Sequence, residues 1–242
     1  MPRVTIACFH EHLPPVARGS AVVAVDVIRA TTTAITAVAA GHRLYPAGSM
    51  EAAVRLAADL DRPILAGELG GVQPYGFDLQ NSPCEMQDMV GSSRRPIILL
   101  STSGTRLMTE AAERGACYPA CLRNTSAQAR YLAQTGCDAV ILGADSRGQF
   151  RDEDRLCCAR IARVLVEAGH TVADRLSAEV LERWGDAPDD AFVGGQSATY
   201  LRDTAQEHDL EFVLEHIDDL SSVYTLERGE VRELTSDSSR AA

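Results

Sequence analysis

Residues 22–36 read VVAVDVIRATTTAIT, and this stretch decides the fold class. Residues 22–25 form a short apolar run, typical of a strand that is covered on both faces. Residues 30–40 are rich in alanine and are followed by Gly41, a pattern that favours a helix with a glycine at its end. A buried strand that leads directly into a helix predicts an α/β fold.

Polar side chains separate this strand from this helix. They combine an acid, a guanidinium group and three hydroxyls: Asp26, Arg29, Thr31, Thr32 and Thr33. In open α/β sheets a ligand lies beyond the carboxyl ends of the strands, where a helix N-terminus offers free N–H groups and a partial positive charge. The stretch therefore predicts a phosphate site. Helix capping is the alternative for any single residue, but it does not explain the whole set.

Two more strand-to-helix units repeat this arrangement. Residues 96–100 form an apolar run that leads into a turn of small polar residues: Ser101, Thr102, Ser103, Gly104 and Thr105. Residues 138–142 form another, followed by a loop and by the acids that open the next helix: Asp152, Glu153 and Asp154. Small residues let the backbone approach an oxyanion, and one of the three acids is expected to face the site. Capping is again the alternative.

The order of these units predicts a three-layer α/β/α fold with a mostly parallel sheet. We expect a single domain over residues 1–234 and a disordered tail over residues 235–242. The pattern around Arg228 and Gly229 predicts a terminal hairpin, whereas residues 208–216 are ambiguous between strand and helix.

The loop over residues 67–83 reads GELGGVQPYGFDLQNSP and is long for a compact domain. Its aromatic and apolar residues disfavour disorder. We therefore expect an ordered loop built around Glu68, Asp78 and Asn81. A surface loop with incidental polar groups is the alternative.

Composition limits the kinds of partner. The formal net charge is −11 and the chain contains no basic run, which argues against nucleic-acid and membrane-surface binding. All 23 basic side chains are arginines, so a phosphate loop that ends in lysine and a lysine Schiff base are both excluded. Anions must be held by arginine forks, backbone N–H groups, hydroxyls or a metal ion.

Cysteine usage and the N-terminal sequence bear on the compartment. The seven cysteines include no C-x-x-C pair, so we expect reduced thiols rather than a disulfide framework or a zinc site. No signal peptide or membrane-spanning run is recognisable. The sequence predicts a cytoplasmic protein, and it leaves a homodimer open.

Taken together, the motifs resemble those of the 2-phosphosulfolactate phosphatase family, the phosphatases of coenzyme M biosynthesis. The resemblance covers most of the chain and rests on these segments: 25–33, 66–68, 76–78, 81–83, 102–105, Asn124, Gly148 and 153–154. The chain departs from the usual family pattern at Gln80, Ser103 and Asp145.

The resemblance implies Mg²⁺-dependent hydrolysis of 2-phosphosulfolactate to sulfolactate and phosphate. As a hypothesis of mechanism we assign the metal to Asp26, Glu68 and Glu153, and catalysis to Asp26, Glu68 and Asp78. For the small anionic phosphorylated substrate we expect the following contacts: Arg29, Thr31, Thr32, Asn81, Thr102, Ser103, Gly104, Thr105, Arg123, Asn124 and Arg147. Attack by water with Asp78 as base, and attack by Asp26 itself, both stay open. The rival functions are a phosphatase for a non-sulfonated phospho-carboxylate and a non-catalytic sensor.

Overall fold

The structure is a computed structural model that describes residues 1–9, 16–89, 94–146 and 148–234. The tail predicted at residues 235–242 therefore lies outside the described residues. The strands are β1 Arg3–Cys8, β2 Ala21–Val25, β3 Leu44–Ala47, β4 Ile64–Gly67, β5 Ile97–Leu100, β6 Ala116–Ala120, β7 Ala139–Gly143, β8 Thr171–Val172, β9 Tyr224–Glu227 and β10 Glu230–Glu233.

These strands form one sheet in the order β4-β5-β3-β10-β9-β6-β2-β7-β1-β8. Strands β4, β5 and β3 are parallel to one another, and so are β6, β2, β7, β1 and β8. The terminal hairpin of β9 and β10 joins the two parallel groups through antiparallel pairing. The mostly parallel sheet and the hairpin are both confirmed. The sequence did not indicate that the hairpin lies in the interior of the sheet.

The helices are α1 Ala30–Ala39, α2 Met50–Asp59, α3 Pro83–Asp88, α4 Gly104–Arg114, α5 Thr125–Thr135, α6 Asp152–Glu167, α7 Arg175–Trp184, α8 Gln196–Asp203 and α9 Glu207–Glu215. Within the described part of the chain, no helix is both long and apolar enough to cross a membrane. The ambiguous segment at residues 208–216 is largely helical. Its buried positions, Asp209, Leu210, Phe212 and Val213, have the spacing of one helix face.

Strand β2 shows how the sheet is covered on both faces. Side chains alternate between the faces of a strand. Val23 and Val25 pack in a core that includes residues of α5, α6 and α7. Val22 and Ala24 pack in a second core that includes residues of α1 and α4. Helices on both faces of a mostly parallel sheet confirm the predicted three-layer α/β/α class.

The carboxyl ends of distant strands converge. Strands β2 and β5 are separated by four other strands in the sheet. In a flat sheet they would lie about 24 Å apart, at roughly 4.8 Å per strand. Nevertheless Asp26, which follows β2, contacts the start of α4, which follows β5. The sheet is therefore twisted and coiled, as large mixed sheets are, and its coiling brings the two strand-to-helix turns together.

Candidate active site

A cavity of about 210 Å³ lies where these turns meet. Three carboxylates and two guanidinium groups line it: Asp26, Glu68, Asp154, Arg29 and Arg151. The neutral lining residues are Ile28, Gly70, Gly71, Asn81, Thr102, Ser103, Ala144, Ser146, Gln196, Ser197, Tyr200 and Leu201. The predicted residues that the structure brings together here are Asp26, Arg29, Glu68, Asn81, Thr102 and Ser103.

Asp26 is held in place by the first turn of α1. Its Oδ1 accepts the N–H of Ala30 at 3.2 Å. The hydroxyl of Thr31 accepts the Asp26 N–H at 2.9 Å and donates to the Asp26 carbonyl at 2.8 Å, which closes the turn. Burial raises the pKa of Asp26 to about 7, and repulsion from Glu68 and Glu153 adds to this effect. The carboxylate is therefore close to neutralisation at physiological pH.

Glu68 orders the loop at residues 67–83 against the turn after β5. Its Oε1 accepts the Thr102 N–H at 2.7 Å. Its Oε2 accepts the Thr102 hydroxyl at 2.8 Å and the Gly71 N–H at 2.6 Å. The Tyr200 hydroxyl donates to the Gly71 carbonyl at 2.8 Å, so α8 also holds this loop. The prediction of an ordered loop built around Glu68 agrees with this network.

Asn81 and Arg29 connect the cavity to the helices behind it. Asn81 is 3% exposed, and its Oδ1 has no hydrogen-bond partner among the described residues. Arg29 Nη1 donates to Asp209 Oδ2 at 2.5 Å and to Gln206 Oε1 at 2.6 Å. The Ser82 hydroxyl donates to the other oxygen of Asp209 at 2.6 Å. The positive charge of Arg29 is thus compensated by a fully buried carboxylate on α9.

A second wall of the cavity comes from the start of α6 and the start of α8. Asp154 is 2% exposed, and its Oδ1 accepts the Val27 N–H at 2.7 Å. Burial, with repulsion from Glu153 and Asp26, raises the pKa of Asp154 well above its usual value. Burial also raises the pKa of Glu153, while the nearby Ser197 favours its charged form. Asp154 is thus the acid of this first turn that lines the cavity.

Several residues predicted for the site lie outside the lining of the cavity. They are Thr31, Thr32, Asp78, Gly104, Thr105, Arg123, Asn124 and Glu153. Arg147 lies outside the described residues. Two threonines of this set bond to nearby backbone instead of facing the cavity. Thr32 donates to the Val27 carbonyl at 2.7 Å, and Thr105 donates to the Ser101 carbonyl at 3.1 Å. These threonines close turns, as the capping alternative requires.

The charged residues of that set have partners elsewhere. Asp78 is exposed, and its Oδ2 accepts the Leu65 N–H at 2.9 Å. Arg123 donates to both carboxylate oxygens of Asp219, at 3.0 and 2.6 Å. Asn124 Oδ1 accepts the Cys121 N–H at 3.0 Å, which caps the short 3-10 turn before α5. These contacts stabilise the fold around the cavity.

Sequence reasoning missed most of the second wall. The acids at the start of α6 were a signal for Asp154, and the structure selects Asp154 from the three. Arg151 directly precedes those acids and had no other distinguishing signal. Gln196, Ser197 and Tyr200 follow Gly194 and Gly195 in a segment whose polar residues are ordinary for a helix start. Only the packing of α8 onto the loop at residues 67–83 brings them to the cavity.

The carboxylates that line the cavity suit a hard divalent cation, but few side chains are placed to bind it. Asp26 and Asp154 both line the cavity, and burial raises both pKa values. Repulsion from Glu68 and Glu153 adds to the effect at Asp26, and repulsion from Glu153 and Asp26 adds to it at Asp154, so a cation would relieve this repulsion. Within the described residues, however, no three His, Cys, Asp or Glu side chains are grouped so as to hold a metal ion. Mg²⁺ commonly takes one or two carboxylates and completes its shell with water and phosphate oxygens. Two acids, not a cage of three, fit this structure.

The fold and this site define an α/β protein with an acid-lined small-molecule pocket at the carboxyl ends of its strands. The chain belongs to the 2-phosphosulpholactate phosphatase family, whose sequence model matches residues 8–229. This is a family of phosphatases.

Curated relatives agree with the family. The chain is 38% identical over 152 residues to a probable 2-phosphosulfolactate phosphatase of Carboxydothermus hydrogenoformans, covering 62% of this chain and 63% of that protein. It is 35% identical over 161 residues to one of Caldanaerobacter subterraneus subsp. tengcongensis, covering 64% and 66%. It is 33% identical over 151 residues to one of Synechocystis sp., covering 61% and 62%. The chain thus matches slightly less than two thirds of the length of these relatives.

Proposed function

We propose that the protein is a Mg²⁺-dependent phosphatase that hydrolyses 2-phosphosulfolactate to sulfolactate and phosphate. The observation that carries the proposal is the position of Asp26, a buried carboxylate that lies between the starts of α1 and α4 and lines the cavity. Helix N-termini at the carboxyl edge of a sheet favour phosphate. The names of the relatives supply the particular ester. The proposal includes a cytoplasmic location.

Each residue of the cavity has its own role in the proposed reaction. Asp26 and Asp154 would hold the cation, which would polarise the phosphoryl oxygens and lower the pKa of a bound water. The Ser103 hydroxyl, directly before α4, holds a phosphate oxygen. The Ser103 side chain makes no capping hydrogen bond to this helix, so its hydroxyl is available to a ligand. Glu68 already accepts three hydrogen bonds, and it therefore positions Thr102 and Gly71 rather than reacting.

The test is phosphate release from 2-phosphosulfolactate by the purified protein, with Mg²⁺ and with EDTA. We expect release that requires Mg²⁺ and that falls at least about 100-fold in Asp26→Asn. Asp61→Asn is the matched control, because its side chain is 89% exposed and outside the cavity. Release that persists in EDTA would contradict the metal dependence. A near-normal rate in Asp26→Asn would contradict the assigned site.

A comparison of esters separates the related functions. Faster release from 2-phospholactate than from 2-phosphosulfolactate would indicate a phosphatase for non-sulfonated phospho-carboxylates. Calorimetric binding of 2-phosphosulfolactate without release of phosphate would indicate a sensor. Either result would overturn the proposed activity while leaving the site in place.

A further inference from the structure

Arg151 lines the second wall of the cavity, and neutral groups hold its guanidinium group in place. Its Nη1 donates to Gln149 Oε1 at 3.2 Å and to Gln196 Oε1. Its Nη2 donates to the carbonyl and to the hydroxyl of Ser146, both at 3.1 Å. These contacts fix the plane of the guanidinium group, and its charge is opposed at longer range by the carboxylates of Glu153 and Asp154.

Arg29 and Arg123, the two described arginines that the sequence predicted for substrate binding, differ in this respect. Arg29 forms a buried ion pair with Asp209 at 2.5 Å. Arg123 forms a two-pronged ion pair with Asp219. Within the described residues, all the hydrogen bonds of Arg151 go to neutral oxygens, and its Nε is buried without a hydrogen-bond partner. A buried N–H donor without a partner is costly, and an anion in the cavity would remove that cost.

The start of α8 lies next to Arg151. Helix α8 begins at Gln196, and both Gln196 and Ser197 line the cavity. The carboxylates of Asp152 and Glu153 lie near this helix start, which reduces its partial positive charge. Arg151 is therefore the main source of positive charge for an anion in this part of the cavity.

We propose that Arg151, with Ser146, Gln196 and Ser197, binds a second oxyanion of the substrate, a sulfonate or carboxylate, while the phosphate lies at Asp26 and Ser103. This inference rests on the proposed function and names the part of the site that selects the ester. A planar guanidinium group pairs with two oxygens of such an anion at once, which a point charge does not. Arg151 is thereby the residue that distinguishes phosphate esters with a second anionic group from esters without one.

The test compares kcat and KM of Arg151→Gln on three substrates: 2-phosphosulfolactate, 2-phospholactate and 4-nitrophenyl phosphate. We expect kcat/KM to fall about 10- to 100-fold for esters that carry the bound anion, mainly through KM, with little change for 4-nitrophenyl phosphate. A loss for 2-phosphosulfolactate alone assigns the sulfonate to Arg151, and a loss for both acidic esters assigns the carboxylate. An equal loss for all three esters would overturn the proposal, because it would indicate a merely structural role.

Two further variants complete this test. Arg151→Lys keeps the positive charge but not the paired N–H donors of the guanidinium group. We therefore expect an intermediate loss of kcat/KM, in the same order of substrates. Arg163→Gln is the control, because Arg163 lies on the same helix α6 but pairs with Glu167 outside the cavity. Thermal melts of each variant show whether the fold is kept.

Binding separates failure of this inference from failure of the proposed activity. If the protein hydrolyses none of the esters, calorimetry with sulfolactate still tests the subsite. Binding that is lost in Arg151→Gln and kept in Arg163→Gln would support the subsite without the activity. Equal binding by both variants, or no binding by the unmodified protein, would overturn it.

Discussion

The carboxylate of Asp26 occupies the space where Gly104 would carry a side chain. A Cβ atom placed on Gly104 would lie 2.1 Å from Asp26 Oδ2 and 2.5 Å from the Cβ of Ala30. Gly104 is the first residue of α4, so the starts of α1 and α4 meet at this carboxylate. Glycine is required here by the close approach of the acid. The sequence predicted that an oxyanion of a ligand would approach this glycine. In the structure the carboxylate of Asp26 takes that place.

We expect Gly104→Ala to displace Asp26 and to lower phosphatase activity about 100-fold, since a shift of about 1 Å can cost that much. Overpacking should also lower the free energy of unfolding by about 1–3 kcal/mol. Gly194→Ala is the control, because a Cβ there has no neighbour within 4 Å. Kinetics and chemical denaturation of both variants check the prediction. Full activity in Gly104→Ala would show that Asp26 need not stay in place.

Asp26→Asn should stabilise the protein at high pH and not at low pH. The pKa of Asp26 is raised to about 7 in the folded protein, from an ordinary value of 3.8. The stability linked to this group is therefore full below about pH 4 and is lost as pH rises towards 7. Asparagine does not ionise and avoids that loss. We expect thermal melts in EDTA to show a gain on the order of 4 kcal/mol at pH 8 and almost none at pH 4. A gain in stability that is independent of pH would contradict the raised pKa of Asp26.

Asp209→Ala should be strongly destabilising. Asp209 is fully buried and accepts hydrogen bonds from Arg29 and Ser82, so its removal leaves the buried charge of Arg29 unpaired. We expect a loss of about 3–5 kcal/mol in the free energy of unfolding. Glu179→Ala removes an exposed ion pair with Arg175 on α7 and should cost less than about 1 kcal/mol. Similar losses in the two variants, measured by urea denaturation, would argue against the role of the buried pair.

Asp78→Asn tests the general base predicted from the sequence. The structure places this side chain on the surface, where it accepts the Leu65 N–H, outside the lining of the cavity. Asparagine keeps an acceptor oxygen for that hydrogen bond. We expect kcat to stay within about threefold of the unmodified value, whereas Asp154→Asn, in the cavity, should lower it at least about tenfold. A large loss in Asp78→Asn would instead support the role predicted from the sequence.

The sequence by itself determined the layers, the strand-to-helix units and the chemistry available to the site. Local patterns suffice for these: the apolar run of β2 marks a buried strand, and the residues that follow it, such as Asp26, must lie at its carboxyl end. The same local logic located Glu68 after β4 and Ser103 after β5. A lack of lysine likewise left arginine, hydroxyls, backbone N–H groups or metal to hold an anion.

Only the tertiary structure decided which of these residues share one cavity. Hydroxyl and carboxylate side chains near a strand end can face a ligand or serve only the fold, and a local sequence pattern does not distinguish the two. Thr31 and Asp78 bond to the backbone outside the lining of the cavity, whereas Ser103 and Asp154 line it. Arg151 was distinguished as an arginine with neutral hydrogen-bond partners only when the partners of Arg29 and Arg123 were known. The physical reason is that strand order, sheet coiling and charge pairing depend on contacts between residues far apart in the chain, which no local pattern encodes.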